Sequence, residues 1–560
     1  MDEAKGRNVK LVLWAVFCMA AFFYGMYYEF CGAIAAVVMS GLLFWIIFWE
    51  RKVNIELSVG MSMALLMAAG YAVTCIWAVD TGMAFTGVFR ILWIVVFLVG
   101  VQQFDSEYRD KLIGTIPYIG ALQCLLGFVG YFIPFMQERL YVNHRFGGFF
   151  QYPNTFAVFL LIGIIIICEK KMRIWDYISL AVLTAGIVMT ASRTVFVMMV
   201  IVYIILLIRE KDKWLLLEVM AFAVICGIAI YVNGDMDSIG RITAVSLKDS
   251  TFVGRLLYAA DALGLLVRHP FGLGYLGYYY MENEIQTGVY AVRYVHNDLL
   301  QIGLDIGWIP MAAYVAAVIR SFVSRDMSIR NKLVLGVLFI HGLLDFDSSY
   351  TVIPAIILLL MQDVSWKHMP EKCRELRMPK TVIVSVCGVI SAVAVYMTVP
   401  LLSAYCGKAD LAVSWYPCYT DEQLVKLSET EDVDEAKKLA DRILKQNDTC
   451  ALAYKAMATV AYYNDDYDEV MRWQKQAIDR DYYSYDNYLQ YAYMLYEGAA
   501  MLQDEAPEKT AAYIEEIRRI PAYMDQAKQK LSRLGLMIDD QPELTVDASL
   551  EEILNAVGAE

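Results

Sequence analysis

The chain has 560 residues, 59% of them hydrophobic and only 19% charged, with a net charge of −13. A mean hydropathy of +0.46 is too apolar for a soluble protein of this length. The acidic balance argues against nucleic acid as a partner, and 31 of the 60 acids fall after residue 400 against 16 basic residues there.

Apolar runs long enough to cross a bilayer recur along the first 400 residues. In chain order they cover 11–29, 32–49, 57–78, 84–101, 112–134, 154–168, 174–191, 194–208, 214–232, 297–319, 332–346, 350–365 and 380–403. This predicts an all-α, polytopic membrane helix bundle of about 12–13 transmembrane helices over residues 1–404. The first run starts with Lys5, Arg7 and Lys10 but lacks a clear cleavage site, so it reads as an uncleaved anchor. Basic clusters at 5–10, 51–52, 109–111, 170–173, 209–213, 320–332 and 367–380 each precede the first run or follow an even-numbered one. Positive charge stays on the cytoplasmic side, so the N-terminus is expected in the cytoplasm. Residues 135–153, 233–296 and 405–560 are then extracytoplasmic, and the expected location is the cytoplasmic (inner) membrane.

The first polar stretch of interest is Phe146-Gly147-Gly148-Phe149-Phe150-Gln151-Tyr152-Pro153-Asn154, preceded by Arg145. Its glycines permit close backbone approach, and Asn154 sets an amide at the mouth of a helix. Next, Ser192-Arg193 sits in a gap of a few polar residues between two apolar runs. A charge so near hydrocarbon needs a partner or a task. The large loop 233–296 holds an amphipathic segment from Gly254-Arg255 to Arg268, with apolar residues at 256, 257, 260, 263, 266 and 267. That helical spacing predicts a helix lying on the membrane, ended by His269-Pro270-Phe271-Gly272-Leu273-Gly274. His269, beside the proline, reads as structural. Arg139, Arg145, Arg193, Arg241, Arg255, Arg268 and Arg293 all fall on the expected outer face, where guanidinium forks suit phosphate oxygens. The loop closes on His296-Asn297, followed after nine residues by Gly307.

The pattern His-Asn-x9-Gly resembles the signature of the O-antigen ligase and polymerase superfamily. The Ser-Arg pair, the Gly-rich aromatic segment and the turn His269-Pro270-Phe271-Gly272-Leu273-Gly274 are similar to further features of that family. The resemblance covers about residues 140–360. It implies a membrane glycosyltransferase that takes a polyprenyl-diphosphate-linked glycan, such as an undecaprenyl diphosphate, and transfers it with inversion. The acceptor would be a glycan, lipid or protein, and the family contains ligases, polymerases and protein glycosyltransferases. A family member commonly has a second glycine four residues after the first, where this chain has Met311.

On this reading His296 is the base for the acceptor hydroxyl, and Arg193 and Arg255 stabilise the leaving diphosphate. Arg145, Asn154, Arg268, Arg293, Asn297 and His341 are expected to bind substrate, with Asp345 a weaker candidate beside His341. No metal and no cofactor are expected, because the nearest approach of His and Cys is His368 with Cys373 in a cytoplasmic loop. A transporter or flippase of lipid-linked sugars, or a non-catalytic envelope scaffold, are the alternatives.

Of the eleven cysteines, Cys18, Cys75, Cys124, Cys168, Cys226 and Cys387 lie in apolar runs and read as small hydrophobes. Cys406, Cys418 and Cys450 belong to the tail, where one pair could bridge. The tail, 405–560, is predicted as a soluble helical-repeat domain. Asn447-Asp448-Thr449-Cys450 aligns with Asp481-Tyr482-Tyr483-Ser484 at an offset of 34, as do Tyr454 with Tyr488 and Ala458 with Ala492. This resembles the tetratricopeptide repeat. Such a domain could recruit a protein partner, while the bundle contacts membrane lipid.

Overall fold

The computed structural model describes residues 3–49, 53–168, 172–210, 249–367 and 379–558. The expected span 214–232, together with Arg241, Cys226, His368 and Cys373, lies outside the described residues.

The protein is an all-α bundle with several helices apolar enough to be membrane spans. Glu29–Trp49, Thr81–Val101, Ser106–Gly130 and Lys380–Tyr405 are long and apolar enough to cross a bilayer. Shorter apolar helices such as Val59–Thr74, Ile174–Thr190 and Trp308–Val323 pack among them. The exterior is apolar too. Along Arg193–Glu210, Val197, Ile201, Ile204 and Ile208 form an exposed stripe at spacings of three and four. Water would not tolerate that stripe at little cost, whereas lipid would. Pro153–Cys168 is buried on every side except at Asn154, as an apolar helix at the centre of a bundle should be.

The tail folds as stacked helices. Val433–Gln446 and Tyr467–Arg480 begin and end 34 residues apart, and Ala451–Tyr463 and Tyr485–Leu502 begin 34 apart. It is bound closely to the rest of the chain. Gln446 Nε2 and Asn447 Nδ2 donate to the Asp80 carboxylate at 2.8 and 3.1 Å, and the Tyr482 hydroxyl donates to the Gln286 carbonyl. Cys406, Cys418 and Cys450 are free thiols, so the possible tail bridge is not formed.

Among the described residues the strands form a single hairpin, which the sequence reading missed. Tyr141–Val142 pairs antiparallel with Arg145–Phe146, joined by Asn143 and His144 at φ 48° and 62°. Two successive positive φ values make the tight turn that matches strand twist, and asparagine tolerates the first of them well. The hairpin carries Arg145.

Candidate functional site

Three backbone devices aim the polar side chains. The first is the turn between Ile174–Thr190 and Arg193–Glu210. Ala191 takes φ +51°, and the Ser192 N–H donates to Thr190 Oγ1, so the chain reverses and Arg193 opens the next helix. An alanine in the left-handed region costs about 1–2 kcal/mol, which the surrounding packing must overcome.

The second is the amphipathic helix Ser250–Arg268, capped by the Asp249 carboxylate on the Thr251 N–H. Its apolar residues divide between two faces. Leu257, Leu265 and Leu266 are buried against the protein, whereas Leu256, Leu263 and Val267 are exposed. Arg255 lies on the flank between them and points inward, with its side chain 18% exposed.

The third device explains the spacing of the His-Asn-x9-Gly motif. Asn297 caps the helix Asp298–Ile306 by accepting from the Leu300 N–H. Gly307 then ends that helix at φ +94° and starts Trp308–Val323. The turn after Arg268 docks into this break. The Leu273 N–H donates to the Leu304 carbonyl at 2.6 Å, Gly274 N–H to Asp305 at 3.1 Å, and Trp308 N–H to the Pro270 carbonyl at 2.9 Å. A Cβ on Gly307 would sit 2.8 Å from the Phe271 carbonyl carbon and 2.9 Å from the Pro270 oxygen. The glycine therefore registers the Arg255 helix against the His296 segment. Met311, where a second glycine was expected, turns its sulfur onto Gly303.

The first two of these elements line a cavity of about 410 Å³. Arg145, Asn154, Arg193 and Arg255 line it together with Asp249. Arg145 Nη2 donates to Asn154 Oδ1 at 2.7 Å, and its Nε to the Thr190 carbonyl at 2.9 Å. Arg193 Nη1 bonds Asp249 Oδ2 at 3.0 Å. Arg255 gives one nitrogen to Asp345 and leaves its Nε buried with no acceptor. A buried guanidinium N–H without an acceptor is a costly orphan that an anion can relieve.

Asp345 is the hub, and its part was underestimated from sequence. Its carboxylate accepts from Arg255 Nη2 at 3.0 Å, Tyr152 Oη at 2.8 Å, Asn154 Nδ2 at 2.8 Å and the Phe346 N–H at 3.0 Å. The legible signal was a carboxylate at the end of an apolar run. The loop that carries it is tied to the histidine segment: Asn297 Nδ2 donates to the Leu343 carbonyl, and Ser348 donates twice to Asp298 Oδ1.

Residues 178–315 match the family model for O-antigen ligase. This segment, about a quarter of the chain, is similar to the O-antigen ligase family. The matched segment holds Arg193, Arg255, Arg268, Arg293, His296, Asn297 and Gly307, while the hairpin arginine, Asn154 and Asp345 come from outside it. No curated protein matches the chain.

Within the matched segment His296 precedes the first turn of Asp298–Ile306. Its ring stands edge-on to Phe346, with centroids 4.8 Å apart, and 5.6 Å from the Tyr258 ring. Its Nδ1 is buried and has no hydrogen-bond partner. Burial, reinforced by the Arg255 charge and only partly offset by Asp345, holds the imidazole below its usual pKa. It is therefore neutral near pH 7 and free to take a proton.

Four expected binding residues do not reach the cavity. Arg268 is exposed at its helix end and donates to the Gly264 carbonyl. Arg293 lies over the Tyr279 ring and pairs with Asp421 of the tail at 3.4 Å, so it holds the two parts of the chain together. Asn297 is spent on its cap and on Leu343. His341 is buried behind the site, where Nδ1 meets Asp347 Oδ2 at 2.5 Å while Thr155 donates to the other oxygen. Asp347, missed from sequence, thus locks the Asp345 loop to the central helix. His269, read as structural, ends the Ser250–Arg268 helix.

Proposed function

We propose that the protein transfers a glycan from a polyprenyl diphosphate to an acceptor hydroxyl, with inversion, on the outer face of the cytoplasmic membrane. The observation that carries this reading is the convergence of Arg145, Arg193 and Arg255 on one cavity, with His296 beside the Arg255–Asp345 pair. The diphosphate would enter among the guanidiniums, displacing Asp249 from Arg193 and satisfying Arg255 Nε. The lipid tail would lie along Leu256, Leu263 and Val267, which the amphipathic helix leaves exposed.

In the transfer step the acceptor oxygen forms a bond to the anomeric carbon, and the bond from that carbon to the diphosphate oxygen breaks. The electron pair leaves with the diphosphate, where the arginines stabilise it. The acceptor proton passes to His296. Glycan, lipid and protein acceptors share this chemistry, so ligase-like and polymerase-like activities both follow from one site. The reading puts residues 405–560, as a tetratricopeptide-like domain, outside the cytoplasm, where they hold the loop in place and can meet a protein partner.

The test is turnover by the purified full-length protein of an undecaprenyl-diphosphate-linked glycan, with the product's anomeric configuration read by NMR. Inverted product with released undecaprenyl diphosphate supports the reading. Transport of the lipid-linked sugar across vesicles without bond cleavage would replace it with a flippase.

A further inference from the structure

A second cavity, of about 250 Å³, is linked to the arginine-lined one by a hydrogen bond from Asn154, which lines the first, to Tyr152, which lines the second. The Tyr152 ring lines this second cavity, while its hydroxyl donates to Asp345 and accepts from Asn154 Nδ2. Phe346 lines it as well, and the His296 ring packs perpendicular to that same phenylalanine.

The remaining wall is aromatic and hydroxyl-tipped. Tyr27 and Tyr350 lie with centroids 5.0 Å apart, Tyr152 and Tyr350 stack at 5.9 Å, and Tyr28 stands perpendicular to Tyr27. Tyr27, Tyr28, Tyr152 and Phe346 are only half-buried, so their rings are open to a ligand. Gln151 brings the one amide, on a backbone held at φ +57°. A non-glycine residue rarely stays in that conformation unless its surroundings enforce it.

We infer that this aromatic cavity is the acceptor subsite, and that it takes a sugar ring of the acceptor saccharide. This rests on the transfer reading above. The C–H bonds on one face of a pyranose are polarised by its oxygens and meet the electron-rich faces of aromatic rings. Its hydroxyls need partners, which phenols and an amide provide as donors and acceptors. A lipid chain would leave those polar tips unpaired. The volume lies just below the roughly 300 Å³ at which drug-sized pockets begin, the right order for a single sugar. The placement also fits inversion: the leaving diphosphate would occupy one cavity and the nucleophile would enter from the other, with His296 packed on Phe346 of the second and near Arg255 of the first.

The experiment is saturation-transfer NMR on the full-length protein in detergent. The probes are methyl glycosides of glucose, galactose, mannose, rhamnose and N-acetylglucosamine. At least one should bind. Binding should weaken about tenfold, the worth of one ring or amide contact, in Tyr28→Leu and in Gln151→Gly. Gln151→Gly keeps the left-handed backbone unstrained, and unchanged melting temperatures confirm the fold of both variants. Arg193→Ala should bind the glycoside normally. No binding by any probe, binding undiminished in both aromatic-cavity variants, or loss in Arg193→Ala would each overturn the subsite. The measurement needs neither donor nor turnover. Absence of transfer activity would therefore defeat the catalytic reading alone, and absence of glycoside binding the subsite alone.

Discussion

Arg255 and Asp345 lie 90 residues apart in the chain and meet at 3.0 Å, Nη2 to Oδ2, with Asp345 almost wholly buried. Removing one partner of a buried ion pair leaves an uncompensated charge, at a cost of about 3–5 kcal/mol. The pair also fixes Tyr152 and Asn154, which share the same carboxylate. Asp345→Asn should therefore cost at least about tenfold in transfer, because an amide nitrogen in place of either oxygen would face two donors. Activity equal to wild type in Asp345→Asn would show that the hub does not organise the site.

Arg193→Ala and Arg255→Ala should each weaken donor use strongly, and lysine at either place should rescue poorly. An ammonium is a point charge without the planar fork that grips two phosphate oxygens. Kinetics at varied donor concentration check this, and full activity of both alanine variants would remove the diphosphate role.

His296→Ala should lose transfer by about two to four orders of magnitude, the usual worth of a general base. Donor binding should survive, since the guanidiniums hold the diphosphate. If the variant inserts correctly and turns over normally, His296 is only a packing residue.

The pH profile has a definite sign. Transfer requires neutral imidazole, so the rate falls as pH drops through the His296 pKa. Burial and then Arg255 hold that pKa below about 6.5, the unperturbed value. The acid limb should lie correspondingly low. The Asp345 charge opposes the shift, so Asp345→Asn should move the limb to lower pH, and Arg255→Gln should move residual activity to higher pH. Limbs that stay put in both variants would separate His296 from the titration.

Gly307→Ala tests the register of the motif. The added methyl meets backbone at 2.8–2.9 Å and the residue must keep φ +94°. Backbone strain of about 1–3 kcal/mol comes before any clash, and the Pro270–Gly274 turn should lift off the break. Hydrogen exchange should quicken at the Trp308 and Leu273 amides. Unchanged protection there would refute the docking role.

Thiol labelling checks the sidedness of the tail. Cys406 and Cys418 are exposed, whereas Cys450 is buried. An impermeant maleimide on intact cells should modify the first two and reach Cys450 only after denaturation. Protection of Cys406 and Cys418 until lysis would place the tail inside the cell.

Much of this was open to reading from local composition. A membrane-spanning helix is a run of apolar residues, so the spans, the central run 154–168 and the polar gap at Arg193 follow from sequence alone. The motif at His296 and the turn after Arg268 were legible because a helix break needs glycine at defined positions. What decided the site was tertiary. Arg145 reached it through a hairpin two residues wide per strand, below the length at which alternation can be seen. Arg293 looked equivalent to Arg255 in sequence, yet it turned to Asp421, 128 residues away. The Asp345 carboxylate found its three side-chain donors on two other segments. Hydrophobicity sets which residues enter the bundle, but the pairing of its few polar groups depends on how the helices pack. A buried charge takes whichever partner that packing brings within hydrogen-bond distance.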